Sequence, residues 1–125
     1  MKKIILSQDA PAPIGPYSQA VEVNGFIYCS GQIALDAKSG DIVGENVEDQ
    51  TKKVMSNIEA VLKAADLTFQ NVFKTTIFLK DMDDFGKVNA IYAEAFTDEP
   101  PARSTVAVRT LPKDVMVEIE VIAAR

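Results

Sequence analysis

The dipeptide Asn24-Gly25 lies between two strand-like runs, Gln19 to Val23 and Phe26 to Ser30. Asn and Gly supply the positive φ angles that a two-residue type I′ turn requires, so the two runs are expected to close into an antiparallel hairpin. The chain must therefore build a sheet, and its other elements must pack on that hairpin or extend it. Immediately upstream, Ala10 to Pro16 carries three prolines and a glycine within six residues. That spacing forbids helix and demands an extended loop.

The remaining elements follow from periodicity. Lys3 to Leu6 reads as a short strand, and Asp36 to Glu45, with Gly40 and Gly44, as a loop. Asn46 caps a helix with Glu48 and Asp49 in its first turn, where the helix dipole favours negative charge. Val47, Val54, Ile58, Val61 and Ala65 line one face of that helix, which should end near Ala65-Asp66. Val72 to Leu79 is rich in β-formers and reads as a strand. Asp83 or Asp84 caps a second helix in which Phe85, Val88, Tyr92 and Phe96 share a face, and Pro100-Pro101 stops it. Arg103 to Arg109 and Val115 to Ala123 are the last strands. No repeat or linker interrupts the chain, so residues 1–125 are expected to form one domain. The order implies an α+β fold, a mixed β-sheet with two helices packed on one face.

Composition narrows the chemistry. With 125 residues, 47% hydrophobic and 25% charged, the chain has the balance of a soluble protein with a single core. It contains no histidine, which excludes Ser-His-Asp triads, Cys-His dyads and His-ligated metals. Cys29 is the one cysteine, so no intrachain disulfide or thiolate zinc site can form. Thirteen Lys and Arg against 18 Asp and Glu give a net charge of -5 with no basic stripe, and no nucleic-acid partner is expected. No apolar stretch is long enough to span a bilayer and no signal-peptide core is evident, so no membrane association and a cytoplasmic location are expected. No phosphate or dinucleotide fingerprint is present, and neither a cofactor nor a metal is expected.

Alternation in strands sorts the polar candidates. Val115, Val117, Ile119 and Val121 share one face of the last strand, opposite Met116, Glu118, Glu120 and Ile122. In the preceding strand Ser104, Val106 and Val108 oppose Arg103, Thr105, Ala107 and Arg109. With the apolar sets against the helices, the second sheet face would carry Arg103, Thr105, Glu118 and Glu120. That face is either simply solvated or, given the admixture of Met116, Ile122 and Ala107, a subunit interface with a polar pocket. Cys29 continues the alternation of Ile27 beside no base and reads as a buried, inert thiol. Glu118 and Glu120, two apart on one short strand, are a poor match to a glycosidase acid/base pair.

Several segments occur in an order that resembles one family. They are Gly15-Pro16-Tyr17-Ser18-Gln19-Ala20, Ser30-Gly31-Gln32-Ile33, Asn57-Ile58, Val88-Asn89-Ala90, Pro101-Ala102-Arg103-Ser104, Leu111-Pro112-Lys113-Asp114 and Val117-Glu118-Ile119-Glu120. Together they resemble the Rid family (reactive intermediate deaminases, also called YjgF), in its RidA-like branch. The resemblance runs from about residue 5 to the last residue.

The resemblance implies a fold like the small trimeric chorismate mutases and a homotrimer with three equivalent sites in clefts between subunits. It also implies that the last two strands need not be neighbours. The implied activity is hydrolysis of the enamines and imines released by pyridoxal-phosphate dehydratases. These are 2-aminoacrylate, through 2-iminopropanoate, and 2-iminobutanoate, and the products are a 2-oxoacid and ammonium. By the matching motifs, Arg103 would hold the substrate carboxylate and Glu118 the attacking water. Tyr17, Ser30, Gly31, Asn89 and the backbone N–H of Thr105 would line the pocket. Thr105 stands where such members commonly carry cysteine, and the segment before Pro101 is shorter than in many. The alternative is a regulatory protein that binds a 2-oxoacid or similar metabolite without significant catalysis. Chorismate mutase activity is suggested by fold alone, a poor guide to function.

Overall fold

The structure, a computed structural model, describes residues 1–125. Its first strands are β1 (Lys3–Ile5), β2 (Ala20–Val23) and β3 (Phe26–Cys29), followed by helix α1 (Val47–Ala64) and strand β4 (Val72–Leu79). Helix α2 (Phe85–Ala95) and strands β5 (Ala102–Ala107) and β6 (Val117–Ala124) complete the chain. The six strands form one sheet in the order β1-β2-β3-β6-β4-β5. All neighbours are antiparallel except β4 and β5, which α2 joins as a parallel crossover.

The hairpin forms where Asn24-Gly25 directs it. Both residues take positive φ, 52° and 82°, and Val23 pairs with Phe26 across the turn. Helix α1 starts as the sequence dictates, with the Asn46 side chain accepting a bond from the Asp49 N–H at 2.8 Å. Its buried stripe, Val47, Val54, Ile58 and Val61, meets Val117, Ile119, Val121 and Ala123 of β6 in one continuous core. The second helix is preceded by a short turn, Met82–Asp84. Asp81 caps that turn through the Asp83 N–H at 2.9 Å, and Asp84 makes no side-chain cap.

The last two strands are not a hairpin. Between them the chain passes through a turn at Pro112–Asp114, where Lys113 and Asp114 both have positive φ, and β6 then enters between β3 and β4. The turn also delays β6, which begins at Val117 rather than Val115.

One expectation is reversed. Arg103, Thr105 and Ala107 do share a face of β5, but it is the helix face and not that of Glu118 and Glu120. Register is the cause. Arg103 pairs with Thr75, Thr105 with Ile77 and Ala107 with Leu79, the three β4 residues buried beneath the helices. Ser104 and Val106 accordingly point to the open face, where the Lys74 ammonium donates to Ser104 Oγ at 3.2 Å. Once Arg103 and Thr105 face α2, alternation leaves Val106 of this edge strand on the open face, where it is exposed.

Two buried polar side chains tie loops to this frame. Gln50 accepts from the Met116 N–H at 2.9 Å and donates to the Gly44 carbonyl at 3.2 Å. Asn57, fully buried in α1, donates to the carbonyls of Ile33 and Leu35 at 3.1 and 3.0 Å. Asn57→Ala leaves the buried Leu35 carbonyl without its side-chain donor and the Ile33 carbonyl with only the Leu35 N–H, and is expected to cost about 2 kcal/mol. Chemical denaturation of the two proteins checks this, with an unchanged midpoint as the contrary result.

Candidate functional site

The site residues fall into two groups on opposite faces of the sheet. The first gathers around Glu118, whose side chain stands on the open face of β6 while Val117 and Ile119 point into the core. A small cavity of about 100 Å³ opens beside it, lined among others by Tyr17, Gly31, Gln32, Ile33 and Pro112. Gln32 is held there by reciprocal backbone bonds with Ile119 at 2.8 and 3.1 Å, so Gly31 lies directly over the carboxylate. A Cβ on Gly31 would collide with the Glu118 carboxylate, its Cδ only 2.8 Å away. A side chain at 31 would therefore push the Glu118 carboxylate out of this position.

The wall opposite is the proline-rich segment, and Gln19 secures it. Gln19 is buried, accepts from the Ser7 N–H at 2.6 Å and donates to the carbonyls of Ser7, Ala10 and Pro11 at 3.1, 3.4 and 2.8 Å. Residues that cannot form secondary structure are thereby fixed by one amide. Tyr17 follows a tight turn in which its N–H donates to the Gly15 carbonyl at 2.8 Å, and its ring is half exposed at the cavity mouth. Ser30 does not line this cavity. Its hydroxyl donates to the Ser18 carbonyl at 2.6 Å and thus braces the segment bearing Tyr17.

Burial pushes the Glu118 carboxyl above its ordinary value, and the neighbouring Glu120 charge pushes it further in the same direction. Glu118 has no cation in salt-bridge range; the ion pairs are Lys80–Asp114 and Arg125–Glu22. It is thus a carboxylate with raised proton affinity beside a cavity. Cys29, by contrast, is buried with its thiol pushed up to about 12 by desolvation, which leaves it unreactive at neutral pH.

The second group surrounds Arg103. Its guanidinium donates from Nη1 to Asn89 Oδ1 at 2.7 Å and lies 5.3 Å from the Phe85 ring centroid and 5.0 Å from that of Tyr92. No carboxylate pairs with it. A shallow pocket of about 470 Å³, lined by Asn89, Tyr92, Ala93, Phe96, Pro100, Pro101 and Arg103, opens alongside. Thr105 shares the Arg103 face, and its buried Oγ1 has no partner.

Tyr17, Gly31 and Glu118 are therefore brought together, as are Asn89 and Arg103, but the sheet separates the two sets within one chain. Sequence reasoning missed Gln32, Pro112, Phe85 and Tyr92. The first two lie within the motifs Ser30-Gly31-Gln32-Ile33 and Leu111-Pro112-Lys113-Asp114. Phe85 and Tyr92 were legible only as a helix face; their place against Arg103 depends on the β4–β5 register.

The family model described as Endoribonuclease L-PSP matches residues 7–125. The RutC family protein PH0854 of Pyrococcus horikoshii is 50% identical over 123 residues, covering 98% of each chain. A mouse protein named 2-iminobutanoate/2-iminopropanoate deaminase is 48% identical over 125 residues, covering 100% of this chain and 93% of its own. Among solved structures, Escherichia coli TdcF with bound serine has a TM-score of 0.92 at 40% identity, covering 98% of each chain.

The Glu118 environment has a stability signature. A carboxyl whose folded pKa lies above the unfolded one destabilises the fold when ionised, so that cost is absent below about pH 4.5 and complete above the folded pKa. Glu118→Gln is expected to raise the unfolding midpoint at pH 7, with the gap closing at acid pH. Thermal melts of both proteins across pH 4–8 read this out, and a lower midpoint at pH 7 would contradict it.

Proposed function

The chain belongs to the Endoribonuclease L-PSP family, also called the YjgF or Rid family, and from that membership we propose that it hydrolyses small 2-imino acids to 2-oxoacids and ammonium. The substrates are 2-iminopropanoate, the tautomer of 2-aminoacrylate, and 2-iminobutanoate. The observation that carries the reading is the Arg103 guanidinium, half-buried yet unpaired with any carboxylate. Of its five N–H groups one is used by Asn89, which leaves donors in the planar fork that matches a carboxylate. A single such cation suits a small anion better than a polynucleotide, which calls for an extended basic surface. The serine held by the E. coli relative is a carboxylate of that size.

In this mechanism Arg103 holds the carboxylate while Glu118 orients a water and takes its proton. The water oxygen bonds to the imine carbon, and the C=N π electrons pass to nitrogen. Glu118 returns the proton to that nitrogen to give the carbinolamine. The hydroxyl proton then passes through Glu118 to the amine as the C–N bond breaks and the carbonyl forms. The departing ammonia takes a proton from solvent to become ammonium. The raised proton affinity of Glu118 makes it a stronger base than an ordinary glutamate, and base help of about 10²–10⁴-fold is sufficient for so reactive an electrophile. Tyr17, Gly31, Asn89 and the N–H of Thr105 complete the pocket, and Ser30 contributes by bracing the segment that carries Tyr17.

Because Arg103 and Glu118 lie on opposite faces of one sheet, a complete site needs Arg103 of one subunit and Glu118 of the next. The open face supports such assembly. Phe26, Tyr28, Phe73 and Val106 are each more than two-fifths exposed there, an apolar surface costly to leave in water. We place three subunits around these faces, with sites at the three junctions.

The test is a coupled assay with threonine dehydratase, following 2-oxobutanoate release with and without the protein. Acceleration is expected, and Arg103→Ala should lower kcat/KM by roughly 10- to 150-fold. Arg103→Ala and Glu118→Ala proteins, unfolded together and reassembled, should regain about a quarter of wild-type activity, since random trimers restore that share of junctions. No recovery on mixing would defeat the shared site. No acceleration, with 2-oxobutanoate still bound, would instead support a metabolite-binding regulator.

A further inference from the structure

We infer that Tyr92 and Phe85 form an aromatic clamp that positions Arg103 for its ligand, making both positioning residues of the proposed reaction. The inference rests on that reading only in taking Arg103 as the carboxylate ligand. A guanidinium on a flexible stem and in contact with water samples many rotamers, and each must be given up on binding. Here the choice is made beforehand. The Arg103 Cζ lies 5.0 Å from the Tyr92 ring centroid and 5.3 Å from that of Phe85, within the range in which a cation is attracted to a ring. Asn89 fixes Nη1 by accepting its hydrogen bond at 2.7 Å.

The clamp itself is braced. Tyr92 is buried, and its hydroxyl shares a 2.7 Å hydrogen bond with Thr75 Oγ1, on the β4 residue that pairs with Arg103 itself. Its ring also packs on Phe96 at 4.7 Å, and Phe96 on Phe69 at 5.4 Å. Thr75 thus anchors the ring that orients its own β5 neighbour. The clamp also solves an electrostatic problem. It stabilises the cation with neutral groups, an amide and two π faces, where a carboxylate partner would occupy the donors the substrate needs.

A clamp acting on a ligand held equally in ground and transition states should appear in KM rather than kcat. In the coupled assay Tyr92→Leu and Phe85→Leu should each raise KM for 2-iminobutanoate by about tenfold while kcat stays within about twofold. Tyr92→Phe keeps the ring and should hold KM within about threefold of wild type. Phe85 is only partly buried, so its variant reads the clamp even if Tyr92→Leu fails to fold. Unchanged KM in Phe85→Leu, or a loss in Tyr92→Phe as large as in Tyr92→Leu, overturns the clamp. If the wild-type protein does not speed ketoacid release, the deaminase reading falls by itself. The clamp is then read by titrating wild type and variants with 2-oxobutanoate. A Kd raised by the same factor in the Leu variants upholds it, and equal or absent binding overturns it.

Discussion

Everything in this molecule hangs on β6 being hydrogen-bonded along both edges, by β3 on one side and β4 on the other. The hairpin half of the sheet and the crossover half share no other strand. Strict alternation in β6 then performs two tasks at once. Val117, Ile119, Val121 and Ala123 supply the floor on which α1 packs, while Glu118 and Glu120 are forced onto the opposite face. The placement of the carboxylate is thus a by-product of building the core. A one-residue slip would bury both glutamates and expose the valines, so the hydrophobic effect enforces the geometry of the site.

The same sheet acts as an insulator. Arg103 and Glu118 would attract one another if they met, and a neutralised pair would be a weak anion receptor and a weak base. Lying on opposite faces, each keeps the property the proposed chemistry uses: the guanidinium has free donors, and the carboxyl has raised proton affinity. Under that reading the opposed charges meet only across a subunit junction, with a substrate and a water between them.

Much of the fold was legible from local chemistry. Asn24-Gly25 and Asn46 act within a few residues of themselves, and the structure places a turn and a helix cap where they stand. The grouping of Arg103 with Thr105 was equally secure, because alternation is a property of one strand. Which side of the sheet that group faces is not. It is set by pairing with Thr75 and Ile77, nearly thirty residues away, and apolar content misled because β5 lies at an edge where Val106 can turn outward. The fasteners Gln19, Gln50 and Asn57 were invisible for a related reason. Each joins its side chain to the backbone of a distant or irregular segment, and nothing in an isolated glutamine or asparagine reveals which carbonyl it will meet.

The contact between Gly31 and Glu118 binds the histories of two positions together. With the 118 carboxylate in its present position, even a methyl group at 31 has no room. A side chain entering at 31 turns the 118 carboxylate aside or calls for a shorter residue there, so either change moves the carboxylate from its place beneath residue 31. Descendants that acquire a new chemistry on this scaffold should therefore be recognisable by both positions having changed, and seldom by one alone.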